Sequence, residues 1–217
     1  MSGWREATRD GCEVIVKIDG DGQMDPQLVS RFAGPILAGI ADYTKGNRFF
    51  RLESLTAMPP VRLLGNAVLS FLTKAASGYW DLMDPTSGYT AISSRVVRLL
   101  PLEKIDRRFF FESDVLFRLN TVRAVVREVP MDAHYNHDQS NLKIVRDGIQ
   151  FPFKLLRCLA KRVFYTYFLR DFNVCTLQML LGSALFVTGA VFGLWKWFAA
   201  SQFAEFASAG TVMLAVS

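Results

Sequence analysis

Polar and apolar positions change rhythm several times along this chain, and each change predicts an element. Residues 13–18 form a short apolar run broken only by Lys17, the pattern of a strand buried on both faces of a parallel sheet. Asp25-Pro26 then reads as a helix start, a carboxylate at the N-cap with proline at the first helical position. Leu28, Phe32 and Ile36 follow at four-residue spacing, and Pro35 and Gly39 limit the run. Residues 42–45 predict a second strand leading into a Lys-Gly-Asn-Arg loop. Pro59-Pro60 opens a helix with Leu64, Val68, Phe71 and Leu72 on one face. A turn at 84–88, a strand at 88–93, a short helix at 94–100 stopped by Pro101, a helix at 112–122 and a strand at 124–129 complete the series. Residues 1–11 lack the apolar stretch of a signal peptide and read as helix. Strands alternating with helices predict an α/β sheet.

The last third has another rhythm. Residues 151–173 mix Phe, Tyr and Leu with Lys154, Arg157, Lys161, Arg162 and Arg170, the pattern of a basic amphipathic helix lying at a membrane surface. Residues 176–195 carry no charge and predict a transmembrane helix, with Trp195 and Trp197 at its far interface. The basic residues stand before this span, and 198–206 have neither Lys nor Arg. The positive-inside rule therefore puts the α/β part on the cytoplasmic side of the cell's inner membrane. Residues 207–217 begin a second apolar segment that stops short of a full span. The expected division is 1–135 for the α/β part, 136–173 for a loop and juxtamembrane helices, 174–198 for the span and 204–217 for the start of a second one.

Composition agrees with this division. Of the 217 residues 51% are hydrophobic and 13% aromatic, 18 of them Phe, which is rich for a soluble domain. A net charge of +5 suits nucleic acid, anionic lipid or a polyanionic small substrate. Nucleic-acid binding needs basic residues interleaved with exposed aromatics on one face, whereas here the aromatics crowd beside the span, so no nucleic-acid partner is expected. Three scattered cysteines make neither a disulfide framework nor a zinc site.

Candidate chemistry concentrates in Asp19-Gly20-Asp21-Gly22-Gln23, directly after the first predicted strand. A calcium loop of the EF-hand type needs glycine at its sixth position and glutamate at its twelfth, where this chain has Met24 and Ser30. Three readings stay open. One is a surface turn, since Asp-Gly pairs form turns. Another is a carboxylate pair for acid and base work. The third is a Mg²⁺ or Mn²⁺ site at the carboxyl end of a parallel strand, with a diphosphate supplying further oxygens. Glu112 and Asp114 read equally as a catalytic base or as helix-start carboxylates. His134 and His137 without a third ligand read as surface loop.

Several segments together resemble the family 2 glycosyltransferases of the GT-A fold, in particular the polyprenyl-phosphate, dolichol-phosphate mannose synthase-like branch. "KIDGDGQMDP" is similar to the family's Asp-x-Asp-x-Gln metal motif, "ADYTKGNRF" to its Gly-Ser-Arg segment and "DPTSGY" to its Thr-Ser-Gly turn. "FLRDF" and "AGTVMLAV" resemble the juxtamembrane end and second span of bacterial members. The resemblance implies a partial GT-A (Rossmann-like) mixed sheet followed by an amphipathic juxtamembrane helix and transmembrane helices. It further implies that Asp19, Asp21 and Gln23 hold the metal and that Arg48 and Arg62 grip the acceptor lipid phosphate. Asn66, one turn after Arg62, stands where relatives can offer a serine, and His134 where a basic residue meets donor phosphate. "FFFESDVLF" matches the acidic segment that holds a base in many members, which gives Glu112 and Asp114 a catalytic reading beside Asp21. Family members also carry an upstream strand and a Pro-x-Tyr-Asn-Glu segment for the nucleotide base. Nothing here corresponds, so the sequence reads as an internal part of a longer protein that by itself binds donor poorly. The implied partners are a nucleotide-diphosphate sugar, a polyprenyl phosphate and the membrane, and self-association into a homo-oligomer is left open. The implied reaction is inverting transfer of a sugar from a UDP- or GDP-sugar to that lipid phosphate. A family 2 transferase with another acceptor, or an inactive membrane-anchored scaffold, stands as the alternative.

Overall fold

A computed structural model describes residues 2–20, 22, 24–50, 60–106, 110–131, 144–203 and 210. The described residues up to Arg162 pack as one compact unit, and those from Val163 onward as a second.

In the first unit a four-stranded mixed sheet has the order β1 (Val14–Lys17), β3 (Thr90–Ser93), β2 (Tyr43–Asn47), β4 (Val126–Pro130). β3 runs antiparallel to both neighbours, while β2 and β4 are parallel. The expectation that residues 13–18 are buried inside a parallel sheet is corrected here. β1 pairs antiparallel with β3, and its four residues are all half-buried, since among the described residues it has a sheet neighbour on one side only. β2 also runs on through Gly46 and Asn47, beyond the predicted strand at 42–45, because β4 pairs with it as far as Asn47 opposite Pro130.

Helices cover both faces. On one side α1 (Ser2–Arg9), α4 (Ser94–Leu99) and α5 (Phe111–Thr121) bury Trp4, Val96, Val97, Val115, Leu116 and Leu119 against Tyr43 and Ile92 of the sheet. Complete burial of a Val or Leu side chain stabilises by roughly 1.5–3 kcal/mol, so this face is the main core. On the other side α2 (Val29–Leu37) buries Phe32 and Ile36 against Tyr89, Ala91 and Val129. Phe32 stacks on Tyr89 with ring centroids 3.9 Å apart. The predicted start of α2 is present as a 3₁₀ turn, Pro26–Leu28, whose N-cap carboxylate Asp25 accepts the Gln27 N–H at 2.9 Å. Gly39, at φ +70°, turns the chain back toward β2.

A smaller cluster joins α3 (Pro60–Ser77), α5 and α6 (Ile144–Val163) through Ala76, Phe110, Phe117, Leu155 and Cys158. The inward stripe of α3 is Leu69, Leu72, Thr73 and Ala76, while Val68 and Phe71, predicted on the buried face with Leu72, are exposed. Packing against α5 and α6 selects a stripe rotated from the one that hydrophobicity alone suggests. Phe71 instead meets Trp80 edge-on at 5.9 Å.

The second unit holds a π-helical stretch, Phe164–Arg170, and α7 (Val174–Phe203). Asn173 starts α7 by accepting the Cys175 N–H on Oδ1 at 2.9 Å. Residues Val174–Ala199 make a helix long and apolar enough to cross a bilayer, and within it only Thr176, near its start, is buried. Twenty-six helical residues reach about 39 Å, beyond the hydrocarbon thickness of about 30 Å. The second predicted apolar segment lies outside the described residues except for Gly210.

Candidate active site

Sheet register assembles the site. Directly paired residues project from the same face, and Lys17 pairs with Thr90, Thr90 with Lys45, and Lys45 with Glu128. One polar row therefore crosses all four strands, two residues beyond the apolar row of Ile15, Ile92, Tyr43 and Val126 that faces the main core. At this end of the sheet α5 begins, and its first turn carries Glu112.

Lys17 is the hub. Its ammonium donates to Asp19 Oδ1 at 2.7 Å, to Glu112 Oε1 at 3.3 Å and to the Gly88 carbonyl at 3.3 Å, and lies 5.5 Å from the Phe111 ring centroid. Burial by itself lowers the Lys17 pKa, but the Asp19 hydrogen bond and the charges of Glu112 and Asp19 outweigh burial and hold it above the ordinary lysine value. Asp19 lies two residues beyond Lys17, and Gly88 two before Thr90, so continuing the register sets the two opposite each other. A Cβ at position 88 would stand 1.7 Å from Asp19 Oδ2. The carboxylate has room only because Gly88 has no side chain.

Lys45 is fully buried and donates to the Ser87 carbonyl. Burial pushes its pKa down to about 8 against the opposing pull of Glu112 and Asp84. Two lysines from different strands thus grip consecutive carbonyls of the 84–88 turn. Arg48 grips the same turn at its start, with Nε 2.7 Å from Asp84 Oδ2, Nη2 3.1 Å from Oδ1 and Nη2 3.2 Å from Thr86 Oγ1. Burial raises the Asp84 carboxyl, yet Arg48's hydrogen bonds and the charges of Arg48 and Lys45 hold it below the usual aspartate value. Glu128 accepts the Met83 and Asp84 N–H groups and the Asn47 amide, and burial outweighs these to raise its pKa.

The predicted site residues fall into three groups. Asp19 and Glu112 come together through Lys17. Asp114 is turned away, accepting the Asp106 N–H at 2.9 Å and Arg118 Nε at 3.0 Å on Oδ2, as a brace between α5 and the preceding loop. Arg48 is engaged with buried Asp84. Asp21, Gln23 and His134 lie outside the described residues, as does His137, and Arg62 and Asn66 stand on α3 with side chains outside the description. Lys17, Lys45, Asp84, Gly88 and Glu128 were not among the predicted site residues. Local signals existed for four of them, since Lys17 interrupts an apolar strand, Lys45 lies in "ADYTKGNRF" and Asp84 and Gly88 lie in "DPTSGY", but their convergence, and the place of Glu128, depend on register.

Mg²⁺ and Mn²⁺ take hard carboxylate oxygens, and Asp19 supplies them at the end of β1. Among the described residues no group of three or more His, Cys, Asp or Glu is arranged to hold an ion. The donor chemistry of Asp19 fits a divalent ion, with the remaining expected donors, Asp21 and Gln23, outside the described residues.

No family model matches the chain. It is 27% identical over 135 residues, 62% of its length and 53% of the relative's, to the UDP-N-acetylglucosamine–dolichyl-phosphate N-acetylglucosaminyltransferase of Methanococcus voltae. It is 27% identical over 132 residues to the polyprenol monophosphomannose synthase of Mycolicibacterium smegmatis, covering 60% of this chain and 49% of that one. The undecaprenyl-phosphate mannosyltransferase of Micrococcus luteus is 26% identical over 132 residues, 60% of this chain and 53% of its own. The chain thus spans about half the length of the curated relatives it matches. Two solved structures share the fold at a TM-score of 0.50. They are the mannosyl-3-phosphoglycerate synthase of Rubrobacter xylanophilus, 17% identical over 79% of this chain and 53% of that one, and the UDP complex of the Mycobacterium tuberculosis glucosyl-3-phosphoglycerate synthase, 18% identical over 74% and 53%. The resemblance to the GT-A family 2 glycosyltransferases is borne out to this extent: the chain is similar in sequence to sugar transferases of the polyprenyl-phosphate branch, and it shares its fold with the two synthases.

Proposed function

We propose that this chain is part of a membrane-anchored, inverting glycosyltransferase that moves a sugar from a UDP- or GDP-sugar to a polyprenyl phosphate. The observation that carries the reading is the placement of Asp19, first residue of the Asp-x-Asp-x-Gln segment, at the end of β1 against Gly88 and beside Glu112. The sequence relatives named above, all polyprenyl- or dolichyl-phosphate sugar transferases, support the acceptor class.

In the proposed reaction an acceptor phosphate oxygen forms a bond to the anomeric carbon as the bond from that carbon to the diphosphate oxygen breaks. The phosphate is already an anion, so little deprotonation is needed, and Glu112 serves by charge and position rather than as an obligatory base. Asp19, Asp21 and Gln23 are the residues that hold Mg²⁺ or Mn²⁺, and a bound ion supplies charge neutralisation to the departing diphosphate. Arg62, Asn66 and His134 are the proposed phosphate contacts. Arg48 contributes through its hold on Asp84 and Thr86, which shapes the 84–88 turn. The exposed apolar helix Val174–Ala199 favours a lipid acceptor over a soluble phosphoglycerate, the acceptor class named for the solved neighbours.

The test is transfer from labelled UDP- and GDP-sugars to undecaprenyl phosphate by membranes expressing the chain, alone and within its full reading frame. Labelling of the lipid by one donor, lost with chelator and in Asp21→Asn, is expected. Labelling of 3-phosphoglycerate with none of the lipid would move the protein to the neighbours' acceptor class.

A further inference from the structure

We infer that Lys17 is a resident cation of the metal-binding end of the site, a positioning residue that fixes the Asp19 carboxylate and sets how tightly a divalent ion is held. The inference rests on the reading of Asp19 as a metal ligand. A strand lysine usually extends its ammonium to solvent, whereas this one is turned inward across the end of β1. It touches three acceptors from three separate elements, Asp19 after β1, Gly88 before β3 and Glu112 on α5, and its ammonium lies 5.5 Å from the Phe111 ring centroid. The Lys17 side chain is 30% exposed and that of Glu112 19%, so the pair is screened less than surface ions are.

Two consequences follow for a metal. First, with Oδ1 held by the ammonium, Asp19 is fixed in one orientation with Oδ2 toward Gly88. Second, the ammonium places a positive charge beside the carboxylate that a divalent ion must share, and neutralises Glu112 as well. The charges of Asp19 and Glu112 are matched by those of Lys17 and buried Lys45. A bare divalent ion therefore finds little net attraction from them. An ion that comes with a nucleoside diphosphate brings its own compensating anion. Lys17 thereby favours the metal–diphosphate complex over the metal alone.

Binding of Mn²⁺ alone, followed by the loss of its free-ion electron paramagnetic resonance signal, tests this on the full chain in detergent. The variants are Lys17→Gln, Lys17→Arg and Asp19→Asn, with melting curves to confirm folding. Lys17→Gln is expected to hold bare Mn²⁺ at least about tenfold tighter than the unaltered chain, since removing a like charge a few ångströms from a divalent ion relieves repulsion of about this size. Lys17→Arg, which keeps the charge, is expected to stay within about twofold. Added UDP is expected to tighten Mn²⁺ binding less in Lys17→Gln than in the unaltered chain. Equal or weaker Mn²⁺ binding by a folded Lys17→Gln overturns the role of Lys17 while leaving Asp19 as ligand. Mn²⁺ binding that Asp19→Asn does not change, or no binding by any variant, overturns the metal assignment and the inference with it.

Discussion

At Gly88 the absence of one methyl group decides where a carboxylate can sit. A Cβ there would overlap Asp19 Oδ2 at 1.7 Å, and the Asp19 side chain must swing out to relieve the contact. Gly88→Ala is therefore expected to leave a folded chain with lipid labelling reduced about 10²-fold, the usual cost of ångström-scale misplacement at a reacting centre. Wild-type labelling by this variant would remove Asp19 from the proposed machinery. Lys45 offers a second test at the same scale, this one of stability. Its folded pKa is about 8 against 10.5 for an ordinary lysine. Between those values the unfolded chain holds the proton and the folded chain does not, so unfolding free energy rises as pH climbs from 8 to 9, by at most about 1.4 kcal/mol per unit. Above pH 9 the buried Cys158 thiol, whose pKa burial raises to about 11, opposes the rise, and above pH 10 the buried hydroxyls of Tyr43 and Tyr79, whose pKa values burial also raises, add to that opposition. Urea unfolding across pH 7–9 should show the rise in the unaltered chain and a flat profile in Lys45→Met.

At the scale of elements, α6 separates its two jobs by face. Leu155 and Cys158 are buried against Phe110 and Phe117, while Phe153 and Leu156, two residues before and one after Leu155, are 71% and 61% exposed. Leu155→Ala is expected to cost about 2–5 kcal/mol in chemical denaturation. The pair Phe153→Ser and Leu156→Ser is expected to change stability by less than about 0.5 kcal/mol each. If α6 lies on a membrane as proposed, this pair weakens binding of a chain cut after Arg162 to vesicles of anionic lipid, whereas unchanged binding would assign the exposed face elsewhere.

At the scale of the molecule, α7 bears on where the chemistry takes place. The full chain is expected to stay with membranes through an alkaline carbonate wash, and the chain ending at Arg162 to be released by it. Retention of the shortened chain would mean that the first unit binds membrane by itself more firmly than a surface helix does.

Periodicity and local chemistry determined the elements of this protein and its kinship. Apolar runs marked the strands, Asp25-Pro26 marked a helix start, and the uncharged stretch before Trp195 marked the span. These signals are local, because they depend on neighbours in the chain and on backbone groups within one turn. The Asp-x-Asp-x-Gln and Thr-Ser-Gly segments pointed to the family for the same reason, being contiguous. Strand direction and register were decided only in three dimensions. Residues 13–18 read as a parallel, doubly buried strand, yet β1 pairs antiparallel with β3, since hydrophobicity reports burial and not the direction of the partner. The row Lys17, Thr90, Lys45 and Glu128 joins residues far apart in sequence, and no spacing rule foretells it. The same holds for Glu112 and Asp114, equivalent by sequence, which helix rotation separates by sending one toward Lys17 and the other toward Arg118.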